Sequence, residues 1–406
     1  MEAWGERSPV IFITGSSTLK KQGAGGFKEI DDVSIAEPLT KYSASITDGT
    51  RISEFVDRAW RIATSGYPGP VHLSMPVDIM FSSFTEENSL TERPYSNKAP
   101  ESFRAWPEPK ALERTLEIIK NSRKPIIIGG HGVWWSRTEH LLKKIGDEIK
   151  IPIFNVPYHQ KLLNEDCEAF LGLADVHQYH PSKFAFNESD CILMVGGKLD
   201  NQMNFGNPPL FPSDTKLICV NGSHEEIEFN RSADHLLLCD PGAFFESLLD
   251  LKHTNQWSYD PVWLDTNLKE REKWISASIT DLKKTTDSPA WSGGKIHPLQ
   301  LSLSVQNVMK NDDILVFDGG NTHFWSEIAV NIAGKNGLSL HQIMHPGSYS
   351  MLGVGVSFAL SAKSLNPSRT VVLISGDGAF LSGGLSIEAA FQENLPIVVI
   401  VDNNGG

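Results

Sequence analysis

The amino-acid sequence predicts an α/β protein built from three doubly wound parallel-sheet domains. Short apolar runs rich in β-branched residues recur along the chain, for example at 126–128, 371–375 and 397–401. Such runs are typical of parallel strands that are buried on both faces. Helical stretches separate the runs, and this alternation favours a parallel sheet covered by helices. Two polar regions, 84–107 and 253–295, divide the chain as connectors.

The first block, 1–86, begins with PVIFITGSS at 9–17, which predicts a buried strand ending in a small-residue turn. Apolar residues three and four apart at 52–63 predict an amphipathic helix. GPVHLSMPVDI at 69–79 predicts a second strand and its exit. A domain rarely begins so close to a central strand, so we expect further sequence upstream.

The second block, 108–252, repeats strand and helix. KPIIIGG at 124–130 predicts a strand that enters a glycine turn. IPIFNVP, CILMVGG and KLICVNG follow at spacings that leave room for helices between them. This block therefore predicts a second parallel sheet.

The third block, 296–406, begins with a helix at 299–309 and continues with the strand DILVFDGG. A glycine-rich entry, 345–355, then leads into another helix. The strand VVLIS, the loop GDGAF, a helix at 384–393, the strand PIVVIV and the turn DNNGG complete the block. The order again predicts a parallel sheet.

Composition excludes several classes of protein. The formal charge of −13 disfavours nucleic acid or an anionic membrane as the main partner. No apolar run approaches the ~18 residues of a membrane span, and no signal-peptide pattern opens the chain, so a cytoplasmic location is expected. The four cysteines form no C-x-x-C pair, which favours buried structural thiols over a zinc site or disulfides.

The last βαβ unit carries the residues with the clearest chemistry. Asp377 and Asn404 each follow a predicted strand, so both should lie at the carboxyl edge of the sheet, where open α/β sheets bind ligands. Gly376 and Gly378 allow close approach of the backbone, and the next helix directs its positive end to the same place. Carboxylate, amide and carbonyl oxygens suit Mg²⁺, which also binds phosphate oxygens. These features together predict a magnesium-diphosphate site.

The same residues resemble the signature of thiamine-diphosphate enzymes, in which G-D-G is followed after 24 residues by N-N. The resemblance implies metal ligands at Asp377, Asn404 and the carbonyl of Gly406, with Gly376, Gly378 and Ala379 at the cofactor. An ordinary βα turn is the alternative, and the spacing with its flanking strands disfavours it.

Two further segments of the third block resemble the same family. DGGNTHFW at 318–325 is similar to the family segment that reaches the diphosphate, which implies contacts from Asn321 and Thr322. GSYSMLGVG at 347–355 resembles the turn beside the aminopyrimidine, which implies contacts from Ser350 and a wedge at Leu352 that bends the cofactor. Helix-start packing is the alternative for Leu352. His345 is a candidate for lining the cleft, and a structural histidine is its alternative.

The first and second blocks also resemble the family. GAGGFKEIDDVSIAEPLTKYS at 23–43 is similar to a family run around F-Q-E-x-D, with Lys28 where glutamine is usual. A solvated face is the alternative to a catalytic role for Glu29 and Lys41. The segment 198–211, KLDNQMNFGNPPLF, resembles 2-hydroxyacyl-CoA lyases, and a Pro/Gly loop is its alternative.

The resemblance implies pyrimidine-binding, central and diphosphate-binding domains, the first and last incomplete, in an acetolactate-synthase-like enzyme that uses thiamine diphosphate and Mg²⁺. Alternatives are a 2-hydroxyacyl-CoA lyase, an oxalyl-CoA decarboxylase, a benzaldehyde-lyase-like enzyme or an inactive binding paralogue. FAD occurs in some relatives, and GGHGVWWSR at 129–137 does not support it. A 2-oxo acid or acyl-CoA substrate and a homodimer or homotetramer are implied. The activating glutamate of the family is expected upstream of Met1, so we expect the chain alone to be inactive.

Overall fold

The structure, a computed structural model, describes residues 1–27, 29–83, 104–156, 162–164, 166–175, 179–255, 257, 259–291, 294–335, 337–340 and 342–404. The chain divides into two compact units, Met1–Phe103 and Arg104–Gly406. Of the predicted connector at 84–107, residues 84–103 lie outside the described part of the chain.

Three parallel strands form the sheet of the first unit, in the order β1-β3-β2. The elements are β1 (Ile11–Ser16), α2 (Asp32–Ala36), β2 (Ser43–Ser45), α3 (Ile52–Thr64), β3 (Val71–Pro76) and the short helices α1 (Glu2–Gly5) and α4 (Val77–Met80), with 3₁₀ turns at Leu19–Lys21, Glu37–Leu39 and Gly49–Arg51. Phe55, Ala59 and Ala63 recur every four residues on α3 and are buried, as the predicted amphipathic helix requires.

The strand predicted at 9–17 forms, but its predicted burial is wrong. Within the described residues β1 pairs on one side only, with β3. Phe12 and Ile13 point to opposite faces of the strand, and they are 54% and 56% exposed. An apolar run by itself does not distinguish a central strand from one at the edge of a sheet.

A six-stranded parallel sheet, in the order β6-β5-β4-β7-β8-β9, forms the first half of the second unit. Its strands are β4 (Pro125–Gly129), β5 (Ile153–Asn155), β6 (Phe170–Leu173), β7 (Cys191–Val195), β8 (Lys216–Asn221) and β9 (His235–Leu238). Its helices are α5 (Pro109–Asn121), α6 (His131–Trp135), α7 (Glu139–Ile149), α8 (His180–Glu188) and α9 (Pro241–Thr254), with a 3₁₀ turn at Asn201–Gly206.

Alternate residues of the central strands enter two different hydrophobic cores. Ile127 packs on one face of the sheet, whereas Ile126 and Ile128 pack on the other. Both faces are therefore buried, which explains why these strands are apolar throughout. The predicted connector at 253–295 is mostly one 25-residue helix, α10 (Val262–Thr286), which buries Trp263 against the second of these cores.

Four parallel strands form the second half of this unit, in the order β11-β10-β12-β13. The elements are a 3₁₀ turn (Pro289–Trp291), α11 (Pro298–Gln306), β10 (Ile314–Asp318), α12 (Asn321–Lys335), β11 (Gln342–Met344), α13 (Gly355–Leu365), β12 (Val371–Gly376), α14 (Asp377–Gly383), a 3₁₀ turn (Gly384–Ile387), α15 (Glu388–Gln392) and β13 (Val398–Asp402). The strand order reverses direction between β10 and β12. In an open α/β sheet this switch point is where a ligand-binding crevice forms.

The segment after β12 differs from the sequence prediction. GDGAF was predicted to be a loop that leads to one helix at 384–393, but α14 already begins at Asp377. Gly376 adopts the extended conformation of an N-cap residue, so the helix follows the strand directly. The predicted helix is divided into a 3₁₀ turn and α15.

The four cysteines are buried free thiols, as predicted. Burial raises the pKa of Cys167 and of Cys191 to about 11, which keeps both protonated and unreactive at neutral pH. No described helix is both long enough and apolar enough to cross a membrane.

Candidate functional site

Three strand ends lie side by side where the sequence predicted the site. Asp318, at the end of β10, is in register with Ser375 of β12, and Gly376 is in register with Asp402 of β13. Asp377 therefore follows one member of the second pair, and Asn404 lies two residues beyond the other. The register brings the two predicted metal-binding residues to the same edge of the sheet.

Asp318 organises this edge, although the sequence analysis did not choose it. Its carboxylate is buried and accepts three backbone N–H groups: from Gly319 at 2.7 Å, Gly353 at 3.0 Å and Gly355 at 2.7 Å. Charge-assisted hydrogen bonds of this kind are stronger than neutral ones. Asp318 therefore holds the glycine-rich turn 347–355 against the end of β10.

The glycine-rich turn also contacts the end of α14 through backbone atoms. A Cβ at Gly383 would overlap the carbonyl oxygen of Gly353, and it would lie 2.7 Å from the carbonyl carbon. Gly353 itself has φ +90°, a conformation that L-residues with side chains rarely adopt. Glycine at both positions allows the two loops to pack closely beside the site.

Thr322 joins the end of β10 to the end of β13. The side chain is buried, and its hydroxyl donates to Oδ2 of Asp402 at 2.9 Å. A hydroxyl has one proton, so this bond leaves the oxygen of Thr322 able only to accept from a ligand. Asn321, the first residue of α12, is exposed at the same edge. Both residues remain predicted cofactor contacts.

The residues of the G-D-G segment have distinct positions. Asp377 is half-buried at the start of α14, and its Oδ1 accepts the N–H of Gly378 at 2.8 Å. Ala379 is buried and points towards Gly319, which has φ +110°. Asn404 is exposed, whereas Gly406 lies outside the described residues.

Ser350 and Leu352 lie on the exposed side of the glycine-rich turn. Ser350 has φ +48°, and its N–H donates to the carbonyl of Gly347 at 2.8 Å. Leu352 is 52% exposed, so it is not a core residue that packs at the start of a helix. An exposed, large apolar side chain beside a candidate site is available for contact with a ligand.

His297 is a second residue near the site that the sequence analysis missed. Its Nδ1 accepts the N–H of Leu299 at 3.2 Å, and its ring lies 4.8 Å from that of Trp325. Burial lowers the pKa of this histidine, and the negative charge of Asp402 acts in the opposite direction. The imidazole is therefore neutral at pH 7.

The segment 23–43 of the first unit gives Glu29 and Lys41 clear local roles. The Glu29 carboxylate accepts the N–H groups of Gly23 and Gly26, and these hydrogen bonds lower its pKa. The Lys41 ammonium donates to the carbonyls of Ile62, Ser65 and Tyr67 at 2.6–2.7 Å, which caps the carboxyl end of α3. Lys28 lies outside the described residues.

Two domain models of one enzyme family match this chain. The thiamine pyrophosphate enzyme central domain matches residues 112–248, and the C-terminal TPP-binding domain of the same family matches residues 318–406. The chain belongs to the thiamine pyrophosphate enzyme family. The second match begins at Asp318 and covers the three strand ends of the site, so the site lies within the thiamine-pyrophosphate-binding domain of this family member.

The chain is similar to curated proteins of two kinds, 2-hydroxyacyl-CoA lyases and probable acetolactate synthases. It is 26% identical over 412 residues to 2-hydroxyacyl-CoA lyase 1 of Mus musculus, covering 100% of the chain and 66% of the relative. It is also 26% identical over 414 residues to 2-hydroxyacyl-CoA lyase of Arabidopsis thaliana, covering 100% of the chain and 68% of the relative. A probable acetolactate synthase large subunit of Methanocaldococcus jannaschii is 25% identical over 414 residues, 99% of the chain and 66% of the relative. The chain thus spans about two thirds of the length of these relatives.

The residues at the edge fit a diphosphate. A Cβ at Gly320, just before α12, or at Gly378, in the first turn of α14, would meet no atom within 4 Å, so both positions face open space. The N-terminus of the 15-residue helix α12 lies between β10 and this space, and exposed N–H groups at a helix N-terminus bind phosphate. The oxygen donors of Asp377 and Asn404 suit a hard cation.

Proposed function

We propose that this protein uses thiamine diphosphate with Mg²⁺ to make or break a carbon–carbon bond next to a carbonyl group of a small-molecule substrate. The observation that carries the proposal is the strand register that sends Asp377 and Asn404 from neighbouring strand ends to one edge of the sheet. The family membership supplies the cofactor, and the magnesium ion rests on the donor atoms.

The residues of the chain have separate parts in this proposal. Asp377 and Asn404 would hold Mg²⁺, and N–H groups at the start of α12 would bind phosphate oxygens. Leu352 would set the shape of the bound cofactor from the turn that Asp318 holds in place. Thiamine diphosphate, when bound, supplies a ring that accepts the electron pair of the bond that breaks.

Calorimetric titration of thiamine diphosphate into the purified chain tests the binding part of the proposal. We expect binding in the presence of Mg²⁺ and its loss when EDTA is added. Asp377→Ala should abolish Mg²⁺-dependent binding, whereas Asp281→Ala, which removes an exposed carboxylate from α10, should leave it unchanged. Equal binding by wild type and Asp377→Ala would contradict the metal assignment.

We propose an acetolactate-synthase-like reaction on a 2-oxo acid as the first substrate class. Cleavage of a 2-hydroxyacyl-CoA is the second candidate, and it is favoured by the similarity to 2-hydroxyacyl-CoA lyases along the whole chain. Incubation with pyruvate and, separately, with a 2-hydroxyacyl-CoA, each with saturating cofactor and Mg²⁺, distinguishes the two classes. Cofactor binding without turnover of either substrate would instead support the inactive paralogue or the expected inactivity of this chain alone. Light scattering would test the proposed homodimer or homotetramer.

A further inference from the structure

Three potential metal-binding side chains meet beneath the candidate cofactor edge. His323 and Glu327 are four residues apart on α12, which places them on the same face of the helix. His345 follows β11 and joins them from the other side. One nitrogen or oxygen atom from each residue lies within 4.8 Å of the others, and we call these residues the His–Glu–His cluster.

The cluster contains an unusual buried carboxylate. His323 and Glu327 are only 2% and 3% exposed. Within the described part of the chain, Oε1 of Glu327 makes no hydrogen bond of acceptable geometry, although His323 Nε2 lies 3.3 Å from it. A buried carboxylate that is poorly hydrogen-bonded is costly unless a cation compensates its charge. Its position therefore points to a cation.

The surroundings strengthen any charge interaction inside the cluster. The ring of Phe317 stacks on His345 at 5.0 Å, and it also lies 5.2 Å from the ring of His323. Little solvent reaches this apolar wall, so an electrostatic attraction between the Glu327 carboxylate and a cation would be only weakly screened there.

His345 presents a suitable nitrogen to the cluster. Its Nδ1 lies 2.9 Å from the carbonyl oxygen of Pro346, which fixes the proton on Nδ1 when the ring is neutral. The lone pair is then on Nε2. Metal-binding histidines commonly have this arrangement, in which a carbonyl orients the ring.

We propose that His323, Glu327 and His345 form a binding site for a divalent transition metal of the Zn²⁺ class, separate from the proposed Mg²⁺ site. Two imidazoles and one carboxylate are a typical ligand set for Zn²⁺, whereas Mg²⁺ prefers oxygen ligands alone. Ligand atoms about 2.1 Å from a tetrahedral metal are roughly 3.4 Å apart. The 3.3 Å between His323 Nε2 and Glu327 Oε1 already matches this value, and the ligand atom of His345, within 4.8 Å of the other two, has to move by at most about 1.4 Å.

Such a metal would connect two parts of the cofactor edge. α12 begins with Asn321 and Thr322, and His345 lies just before the glycine-rich turn 347–355. Binding at the cluster would fix the helix relative to that turn. The metal site does not depend on the proposed reaction, because metal content is measured without substrate or thiamine diphosphate.

The test measures metal binding by the untagged chain after chelator treatment. Zn²⁺ reloading should give about one equivalent by elemental analysis, and Co²⁺ should give the visible absorption of a site with nitrogen and oxygen ligands. Glu327→Gln and His345→Ala should each weaken Zn²⁺ binding at least about tenfold. His253→Ala is the matched control, since His253 contacts Glu148 at 2.7 Å on the surface of the central domain, and it should keep the metal.

The results separate this site from the cofactor site. Asp377→Ala should retain Zn²⁺, which would show that the ion is not bound at the diphosphate edge. A wild-type chain that takes up no stoichiometric Zn²⁺ and gives no Co²⁺ absorption overturns the proposal without any variant. Unchanged Zn²⁺ affinity in folded His345→Ala also overturns it, and the cluster would then be a buried histidine–glutamate ion pair.

Discussion

Asp318→Asn should loosen the glycine-rich turn while preserving the shape of the side chain. The wild-type carboxylate receives one N–H on Oδ1, from Gly319, and two on Oδ2, from Gly353 and Gly355. Asparagine keeps only one acceptor oxygen and replaces the other with an NH₂ group, which cannot accept an N–H. In the more favourable orientation of the amide, its oxygen still accepts the N–H groups of Gly353 and Gly355, and its NH₂ group faces the N–H of Gly319, which loses its acceptor.

The expected cost follows from this loss. One buried N–H without an acceptor costs about 1–3 kcal/mol, and the two remaining bonds lose their charge assistance. Asp318→Ala leaves all three donors without the carboxylate and should cost about 3 kcal/mol or more. Both variants should also weaken thiamine diphosphate binding, because the turn that carries Leu352 is no longer fixed.

Urea unfolding followed by tryptophan fluorescence measures the first effect, and calorimetric titration of thiamine diphosphate with Mg²⁺ measures the second. Asp312→Asn is the matched control, because its side chain is 86% exposed near the start of the same strand. An Asp318→Asn chain that unfolds at the wild-type urea concentration and binds the cofactor equally well would refute the reasoning.

Three further outcomes can be measured by urea unfolding, cofactor titration and an activity assay. Gly383→Ala should lower the free energy of unfolding by about 1–3 kcal/mol, because the added Cβ overlaps the backbone of Gly353. Gly378→Ala is the control and should be tolerated, since a Cβ there meets no atom; equal stabilities of the two variants would contradict the close packing. Leu352→Ala should change stability by less than about 0.5 kcal/mol, because the side chain is exposed. In a form of the enzyme that turns over substrate, the same change should reduce turnover per bound cofactor more than cofactor affinity, and the opposite pattern would make the residue structural. Burial lowers the pKa of His72, although the negative charge of Asp32 acts in the opposite direction. The contribution of His72 to stability is therefore complete above about pH 6.5 and declines as the pH falls below that value. His72→Gln should make the free energy of unfolding in urea less dependent on pH, and an unchanged pH profile would argue against this role of His72.

The sequence predicted the elements of the site better than their connections. The apolar runs at 314–318, 371–375 and 397–401 each form a strand as expected. The first two are buried, as strands covered on both faces require, but the predicted burial of the third is wrong. Among the described residues β13 pairs only with β12, and Val398 and Val401 are 48% and 38% exposed. The acidic residue at the end of the first run, Asp318, was visible too. The donors to Asp318 at Gly353 and Gly355 lie 35 and 37 residues away, however, and only the folded chain brings them together.

Other roles were hidden for the same reason. Lys41 was expected either at the active site or on a solvated face, yet it binds three carbonyls that lie 21–26 residues further along the chain. The spacing of His323 and Glu327 was present in the sequence, but His345 reaches them only because β11 lies beside β10. Local patterns identify strands and turns, whereas tertiary contacts decide which polar groups meet.

The hydrogen bond from Thr322 to Asp402 has a consequence for the synthesis of the protein. The two residues are 80 positions apart, and translation at about 5–20 residues per second separates their appearance by roughly 4–16 s. During that interval α12 has emerged while its partner at the end of β13 does not yet exist. The candidate cofactor edge is therefore completed only after β13 has been synthesised, and a pause in translation within this stretch would prolong the period in which Thr322 lacks its acceptor.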